Sequence, residues 1–187
     1  MELAVKNMVC NRCIKVVKDV LHQQHINYTD VIMGKVILPA DLTASQSEML
    51  KQALLQEGFD VVEDKKALLV EKIKNTLIDI VYNQDLSEWK QNLSDYLSHL
   101  LHKDYTTLSQ VFSSLENTTI EQYFILQKIE RVKELLVYNE YSLSEIAWQL
   151  GYSSVAHLSA QFKKITGFTP SAFRNLKDHQ RKSIDEI

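Results

Sequence analysis

Residues 142–174 read SLSEIAWQLGYSSVAHLSAQFKKITGFTPSAFR. Ser142 followed three residues later by Glu145 is the pattern of a capping box, in which each side chain satisfies a backbone N–H of the other and starts a helix. Ile146, Ala147 and Leu150 then recur on one face, and Gly151 predicts a tight turn. A second helix opens near Ser153 or Ser154, with Val155, Leu158 and Phe162 at helical spacing. Gly167 stops it. Pro170, which has no N–H to leave unpaired, suits the first turn of a further helix carrying Phe173. Two short helices around a glycine turn, with the small Ala147 where they cross, form the geometry that presents a second helix outward.

The same plan recurs upstream in a weaker form. LSDYLSHLLHKDYTTLSQVFSSLENTTIEQYFILQKIERVKELL occupies residues 93–136, and its Leu108, Phe112 and Thr119 align with Leu158, Phe162 and Thr169. The turn glycine is missing there, and His102-Lys103-Asp104 stands in its place. From Ser87 to Asn175 all segments read as helical, broken at His102–Asp104, Glu116–Thr118, Asn139–Tyr141, Gly151 and Gly167.

Short helices with glycine turns also suit an all-α domain with no role on DNA. The longer motif goes further. The Gly151-Tyr152 turn, Phe162-Lys163-Lys164, Gly167 and Pro170 through Arg174 resemble the second helix-turn-helix of the AraC/XylS family of bacterial regulators. Residues 93–136 resemble that family's first unit and the long helix joining the two, with Lys128 and Val132 where the family usually shows Arg and Ala. The resemblance implies a transcription regulator that binds double-stranded DNA and is not an enzyme. It also raises contact with RNA polymerase and pairing of two copies as a homodimer, with activation the commoner output. It implies that the second helix of each unit enters successive major grooves about one turn of duplex apart. The residues placed there are Ser154, Val155, Ala156, His157 and Ala160 in the C-terminal unit, and Tyr105, Thr106 and Gln110 in the first. The family often has Arg at Ala160 and Gln110. Its absence removes the bidentate reader of guanine and points to A·T-rich sites or to shape readout. Lys163, Lys164 and Arg174 lie inside the motif and are the expected phosphate contacts. Lys177, Arg181 and Lys182 follow in a polar tail; a merely solvated surface is the alternative for the last pair.

Residues 1–64 differ in kind. Leu3 to Val9 nearly alternates, the period becomes helical from Ile14 (Ile14, Val17, Val20, Leu21), and Tyr28–Met33 and Lys35–Leu38 flank Gly34 as a hairpin. Ser45–Glu57 reads as a helix with Met49, Ala53 and Leu54 inside, stopped by Gly58, and Phe59–Val62 as a last strand. The order β-α-β-β-α-β is that of a ferredoxin-like sandwich, so the expected fold class is an α+β N-terminal domain followed by an all-α domain with two helix-turn-helix units. Residues 65–85 join them as a connecting helix with an apolar stripe of Leu69, Ile73, Leu77, Ile80 and Val81. It reads as a packed connector, with a dimerisation helix as the alternative. The double unit then spans residues 86–176 and the tail 177–187.

Both cysteines of the chain fall in Met8-Val9-Cys10-Asn11-Arg12-Cys13, between the first strand and first helix. A helix N-terminus stabilises thiolates through its free N–H groups and dipole, and paired thiolates suit Cu(I) or another thiophilic metal ion. With Gly58-Phe59 before the last strand, this stretch resembles the heavy-metal-associated domains of copper chaperones and metal-pumping ATPases. The resemblance makes Cys10 and Cys13 the metal ligands and Met8 an apolar support beneath the loop. Asn7 replaces the usual Gly, and Arg12 is bulky for a docking loop. A redox dithiol and a fold kept only for dimerisation remain open, and His22 and His25 read as surface residues.

The whole chain of 187 residues carries 21 Lys and Arg against 24 Asp and Glu, so any basic surface is local. Gly 4 and Pro 2 argue against an all-β chain of many tight turns. No apolar run reaches the roughly 18 residues that span a bilayer, and the start shows no secretory pattern, which points to the cytoplasm and to no membrane partner. No nucleophile triad or phosphate loop is visible. The rivals to a regulator are a metal-trafficking or buffering protein and a thiol redox switch, each using the helical half for protein contacts.

Overall fold

The computed structural model describes residues 1–62, 65–89 and 91–176. The chain divides into two compact units, Met1–Asn75 and Thr76–Ile187. The division falls inside one helix.

In the first unit the order is β1 (Glu2–Lys6), α1 (Asn11–Gln23), β2 (Asp30–Ile32), β3 (Lys35–Ile37), α2 (Ala44–Gln56) and β4 (Asp60–Val62). The four strands form one antiparallel sheet in the order β2-β3-β1-β4. Its register sets Leu3 opposite Val36 and Val36 opposite Val31. Because successive side chains point to opposite faces, Leu3, Val5, Val31 and Val36 share one buried face. There they meet Val17, Val20 and Leu21 of α1 and Leu50 and Leu54 of α2. Met49 is 52% exposed, contrary to the sequence expectation. The inner face of α2 is centred on the i, i+4 pair Leu50 and Leu54, which rotates Met49 out. Gly34 closes the hairpin with φ 73°, a left-handed conformation that suits a residue without Cβ.

Helix α3 (Lys65–Asn83) runs across the division between the units. Ile73, Leu77, Ile80 and Val81 are buried as the stripe predicted, while Val70 is buried and Leu69 only half-buried. The helical region does not begin at Ser87: residues 84–89, 91 and 92 form turns and bends, and α4 starts at Leu93.

The second unit continues with α4 (Leu93–Leu101), α5 (Tyr105–Glu116), α6 (Ile120–Tyr138), α7 (Leu143–Gln149), α8 (Val155–Thr166) and α9 (Pro170–Arg174). The long α6 packs against α5, α7, α8 and α9. Each half of the repeat closes in the same way. Asn117 (φ 53°) and Gly167 (φ 82°) turn the chain left-handed after α5 and α8. Thr119 and Thr169 then cap the next helix, their hydroxyls accepting from the N–H of Gln122 (3.1 Å) and Ala172 (3.2 Å). Phe112 meets Tyr123 edge-on at 5.6 Å, and Phe162 meets Phe173 at 5.4 Å.

The two turns differ. Gly151 takes φ 64° and lies three residues before the helix cap Ser154. In the first helix-turn-helix His102 takes the left-handed position (φ 52°) two residues before the cap Asp104. A Cβ on Gly151 would lie 2.7 Å from the carbonyl oxygen of Leu86, so glycine is required there by conformation and by space. Around Gly167 a Cβ would meet nothing within 4 Å. Gly167→Ala should therefore cost only the left-handed strain, roughly 1–2 kcal/mol. Gly151→Ala should cost at least about 1 kcal/mol more, because the Leu86 backbone must shift as well. Urea midpoints of the two variants check this; equal losses would contradict the close approach.

Candidate functional site

The second helix-turn-helix is assembled from strong local signals. Ser142 and Glu145 form the predicted capping box: the Ser142 N–H donates to Glu145 Oε2 (2.7 Å) and the Glu145 N–H to Ser142 Oγ (3.3 Å). The turn is tied back by the Tyr152 N–H to the Ala147 carbonyl (2.9 Å). Ser154 caps α8, its hydroxyl accepting from the His157 N–H (3.1 Å). Leu158 and Phe162 are fully buried. This leaves Ala156, His157, Ala160, Lys163 and Lys164 exposed on α8, with Val155 half-buried at its first turn. The predicted contact residues of this unit thus share one helix and reach solvent. His157 is partly oriented: its Nδ1 lies 3.1 Å from Ser153 Oγ, and its ring meets that of Tyr152 edge-on at 5.4 Å.

Arg174 is placed differently from its companions. It is half-buried and donates through Nη2 to the carbonyl of Tyr141 (2.9 Å), which fastens α9 to the segment leading into α7. One donor of this guanidinium is therefore spent on the protein itself. Lys177, Arg181 and Lys182 lie outside the described residues.

In the first unit Thr106 and Gln110 are exposed, while Tyr105 is half-buried and donates its hydroxyl to Glu121 at the start of α6. Burial, and then the Glu121 carboxylate, push the Tyr105 phenol well above its usual range, while the same hydrogen bond lowers the carboxyl of Glu121. Asp104 caps α5, accepting from the N–H (2.8 Å) and hydroxyl (2.6 Å) of Thr107. Those bonds hold its carboxyl below the usual range.

One group the sequence reading passed over lies between the connector and the second turn. The ammonium of Lys128 sits 4.0 Å from the centroid of the Tyr152 ring. Tyr152 in turn donates its hydroxyl to Gln161 Oε1 of α8 (2.8 Å). A chain of contacts therefore runs from α6 through the turn to α8. In the sequence Lys128 stands out only as the place where the resembled family carries Arg. Its position directly after buried Gln127 on an otherwise well-packed helix is the available signal.

In the N-terminal unit Met1–Asn75, Cys10 takes the cap position of α1 (φ −157°, ψ 168°) and Cys13 its first turn. Their sulfurs lie 3.4 Å apart, and both are free thiols, half-buried. Burial works against the Cys10 thiolate, but hydrogen bonds from the Cys13 backbone and thiol and from the Arg12 N–H, with the Arg12 charge, bring its pKa below normal. Burial raises that of Cys13. Met8 is fully buried beneath the loop. Asn7 adopts φ 68° at the position where a Gly was expected, and its Nδ2 donates to the Gly58 carbonyl (2.9 Å), so Asn fills the left-handed position by bonding locally. Among the described residues no group of three or more His, Cys, Asp or Glu gathers to hold a metal ion. The donor set is therefore two sulfurs, which suits a soft ion of low coordination number and not a closed tetrahedral zinc site. Among the described residues no helix is long and apolar enough to cross a membrane.

Comparison with known proteins gives a family for part of the chain. Residues 97–176 match the family described as helix-turn-helix domain. The chain is 26% identical over 169 residues to the HTH-type transcriptional regulator ExsA of Pseudomonas aeruginosa, covering 90% of this chain and 55% of that protein. It is 35% identical over 101 residues to an uncharacterized HTH-type transcriptional regulator of Staphylococcus aureus, covering 52% of this chain and 12% of that protein. The chain thus spans about half or less of these relatives' own lengths. Its fold resembles the C-terminal domain of AraT, a response regulator from Geobacillus stearothermophilus, with a TM-score of 0.51 at 20% identity over 63% of this chain and 97% of that one.

Burial pushes the Lys128 amine down to about 8, from about 10.4 in an unfolded chain. Between about pH 8 and pH 10 the unfolded chain therefore holds a proton that the folded chain has released, and stability contributed by this group rises with pH through that window. Lys128→Met should flatten the rise. Urea midpoints measured across the window check it, and an unchanged slope would show that the amine is better solvated than its surroundings suggest.

Proposed function

We propose that this chain is a DNA-binding transcription regulator of the AraC/XylS type. The observation that carries the reading is the α7–turn–α8 unit. Its capped, glycine-turned frame leaves Ala156, His157 and Ala160 exposed on one helix with Lys163 and Lys164 at its end. In this reading the small face of α8 enters a major groove, where His157 meets base edges and the alanines meet thymine methyl groups. Lys163 and Lys164 neutralise phosphates. The names of the matched relatives and the helix-turn-helix match support it. Contact with RNA polymerase and the pairing of two copies belong to the same proposal, since the resemblance implies them.

Binding should weaken steeply with salt. Each phosphate contact contributes about −0.9 to the slope of log K against log salt, so changing Lys163 and Lys164 to Gln should reduce that slope by about 1.8. Filter binding of duplexes selected from a random pool measures it. Retention of no duplex at low salt would sink the proposal, and an unchanged slope would remove the two lysines from the interface.

The Cys-x-x-Cys unit carries the second part. We infer that residues 1–62 form a ferredoxin-like domain of heavy-metal-associated type, in which Cys10 and Cys13 hold a thiophilic ion such as Cu(I). The support is the pair of convergent free thiols 3.4 Å apart at a helix start, over the buried Met8. A bound ion would replace the thiol protons and fix the loop between β1 and α1. Titration with Cu(I) in the presence of a competing chelator should reach one ion per chain, and Cys10→Ser or Cys13→Ser should abolish it. Equal uptake by both variants would exclude the site. Disulfide formation without metal uptake would favour the redox switch.

A further inference from the structure

The two helix-turn-helix units share one construction and carry opposite charge. Residues 92–116 contain Asp95, Asp104 and Glu116 against Lys103 alone, whereas residues 142–166 contain Glu145 against Lys163 and Lys164. Helix α5 has no Lys or Arg along its length. The contrast is sharpest at the start of each second helix, the end whose residues contact base edges in this motif. At α8 the cap is the neutral hydroxyl of Ser154. At α5 it is the carboxylate of Asp104, held ionised by two hydrogen bonds from Thr107. A second carboxylate, Glu121, accepts from the hydroxyl of Tyr105, the first residue of α5. Two exposed carboxylates therefore flank the end of α5 that would face the duplex. B-form DNA presents about one negative charge per 1.7 Å of axis, and like charges this close oppose each other unless an intervening cation screens them.

We propose that this chain seats only α8 in a major groove. The α4–α5 unit stays out of the DNA and braces α6, so that one chain covers one groove. This rests on the DNA-binding reading above. It departs from the resemblance, which implies two grooves one turn apart. Tyr105 is a fold contact in this arrangement, its hydroxyl committed to Glu121.

Hydroxyl-radical footprinting of the full chain on duplexes it retains from a random pool tests the proposal. One protected groove face per bound chain is expected, and Ala156→Asp, which puts a carboxylate on the exposed face of α8, should erase the whole footprint. Replacing Asp104 with Asn and Glu121 with Gln keeps the helix cap and the acceptor for Tyr105 while removing both charges. That double variant should bind at least about fivefold more tightly at low salt and gain a second protected face one turn away. Two protected faces in the unmodified chain, half a footprint surviving Ala156→Asp, or no gain from the double variant would each overturn the proposal. If no duplex is retained under any condition, the DNA-binding reading itself fails and takes this one with it.

Discussion

Two short helices around a turn cannot bury enough apolar surface to hold their crossing angle, and the second unit of this chain meets that constraint with α6. Its buried residues Ile120, Tyr123, Ile129, Val132, Leu135 and Leu136 lie on the helix against which α5, α7, α8 and α9 pack. The aromatic pairs that close the repeat, Phe112 with Tyr123 and Phe162 with Phe173, fasten each second helix to the helix that follows it. The turns therefore act late in the hierarchy. They set where each second helix starts, while the aromatic clamp sets how it is held.

That hierarchy explains what could be read beforehand. Caps and left-handed positions are local, so Ser142 with Glu145, Gly151, Gly167 and Pro170 placed the second unit closely, and the spacing of Leu108, Phe112 and Thr119 placed the first. In the N-terminal unit the alternation of Leu3 and Val5 and the hairpin at Gly34 gave the strand order. What escaped was non-local. Nothing in the sequence near Gly151 announces that Leu86 lies against it, nor that Lys128 would reach the ring of Tyr152. The fates of Tyr105 and Arg174 depended on partners 16 and 33 residues away. A motif aligned to a family placed both on the DNA side, and tertiary hydrogen bonds drew part of each toward the protein. On α2 the periodicity was right and its phase was not, because Met49 and Leu50 are adjacent apolar residues and only packing against the sheet decides between them.

The Cys-x-x-Cys loop shows the same division of labour between local and distant causes. The convergence of the thiols follows from helix geometry: residues i and i+3 of a first turn face one side, and Cys10 at the cap position brings the sulfurs to 3.4 Å. The stiffness of the loop is set from elsewhere, by Met8 in the core and by Asn7 bonding to Gly58 across the sheet. A left-handed Asn does locally what Gly does by having no side chain, and it adds a tether that Gly cannot provide. The departure from the resembled pattern is thus conservative in conformation.

The exposed charge of the helical half is a different kind of departure, because no fold constraint requires it. Asp and Ser are comparably good helix caps, so Asp104 and Ser154 do the same structural work while presenting different fields to a polyanion. Likewise an amide at Glu121 would still accept from Tyr105. Since stability is nearly indifferent to these choices, their common sign at one end of α5 bears on what that helix meets in solution. On a chain whose acidic residues outnumber its basic ones, the small cluster of Lys163 and Lys164 on α8 stands out. In the proposed mode it supplies the attraction, and α6 with its clamps supplies the rigidity that lets a single helix use it.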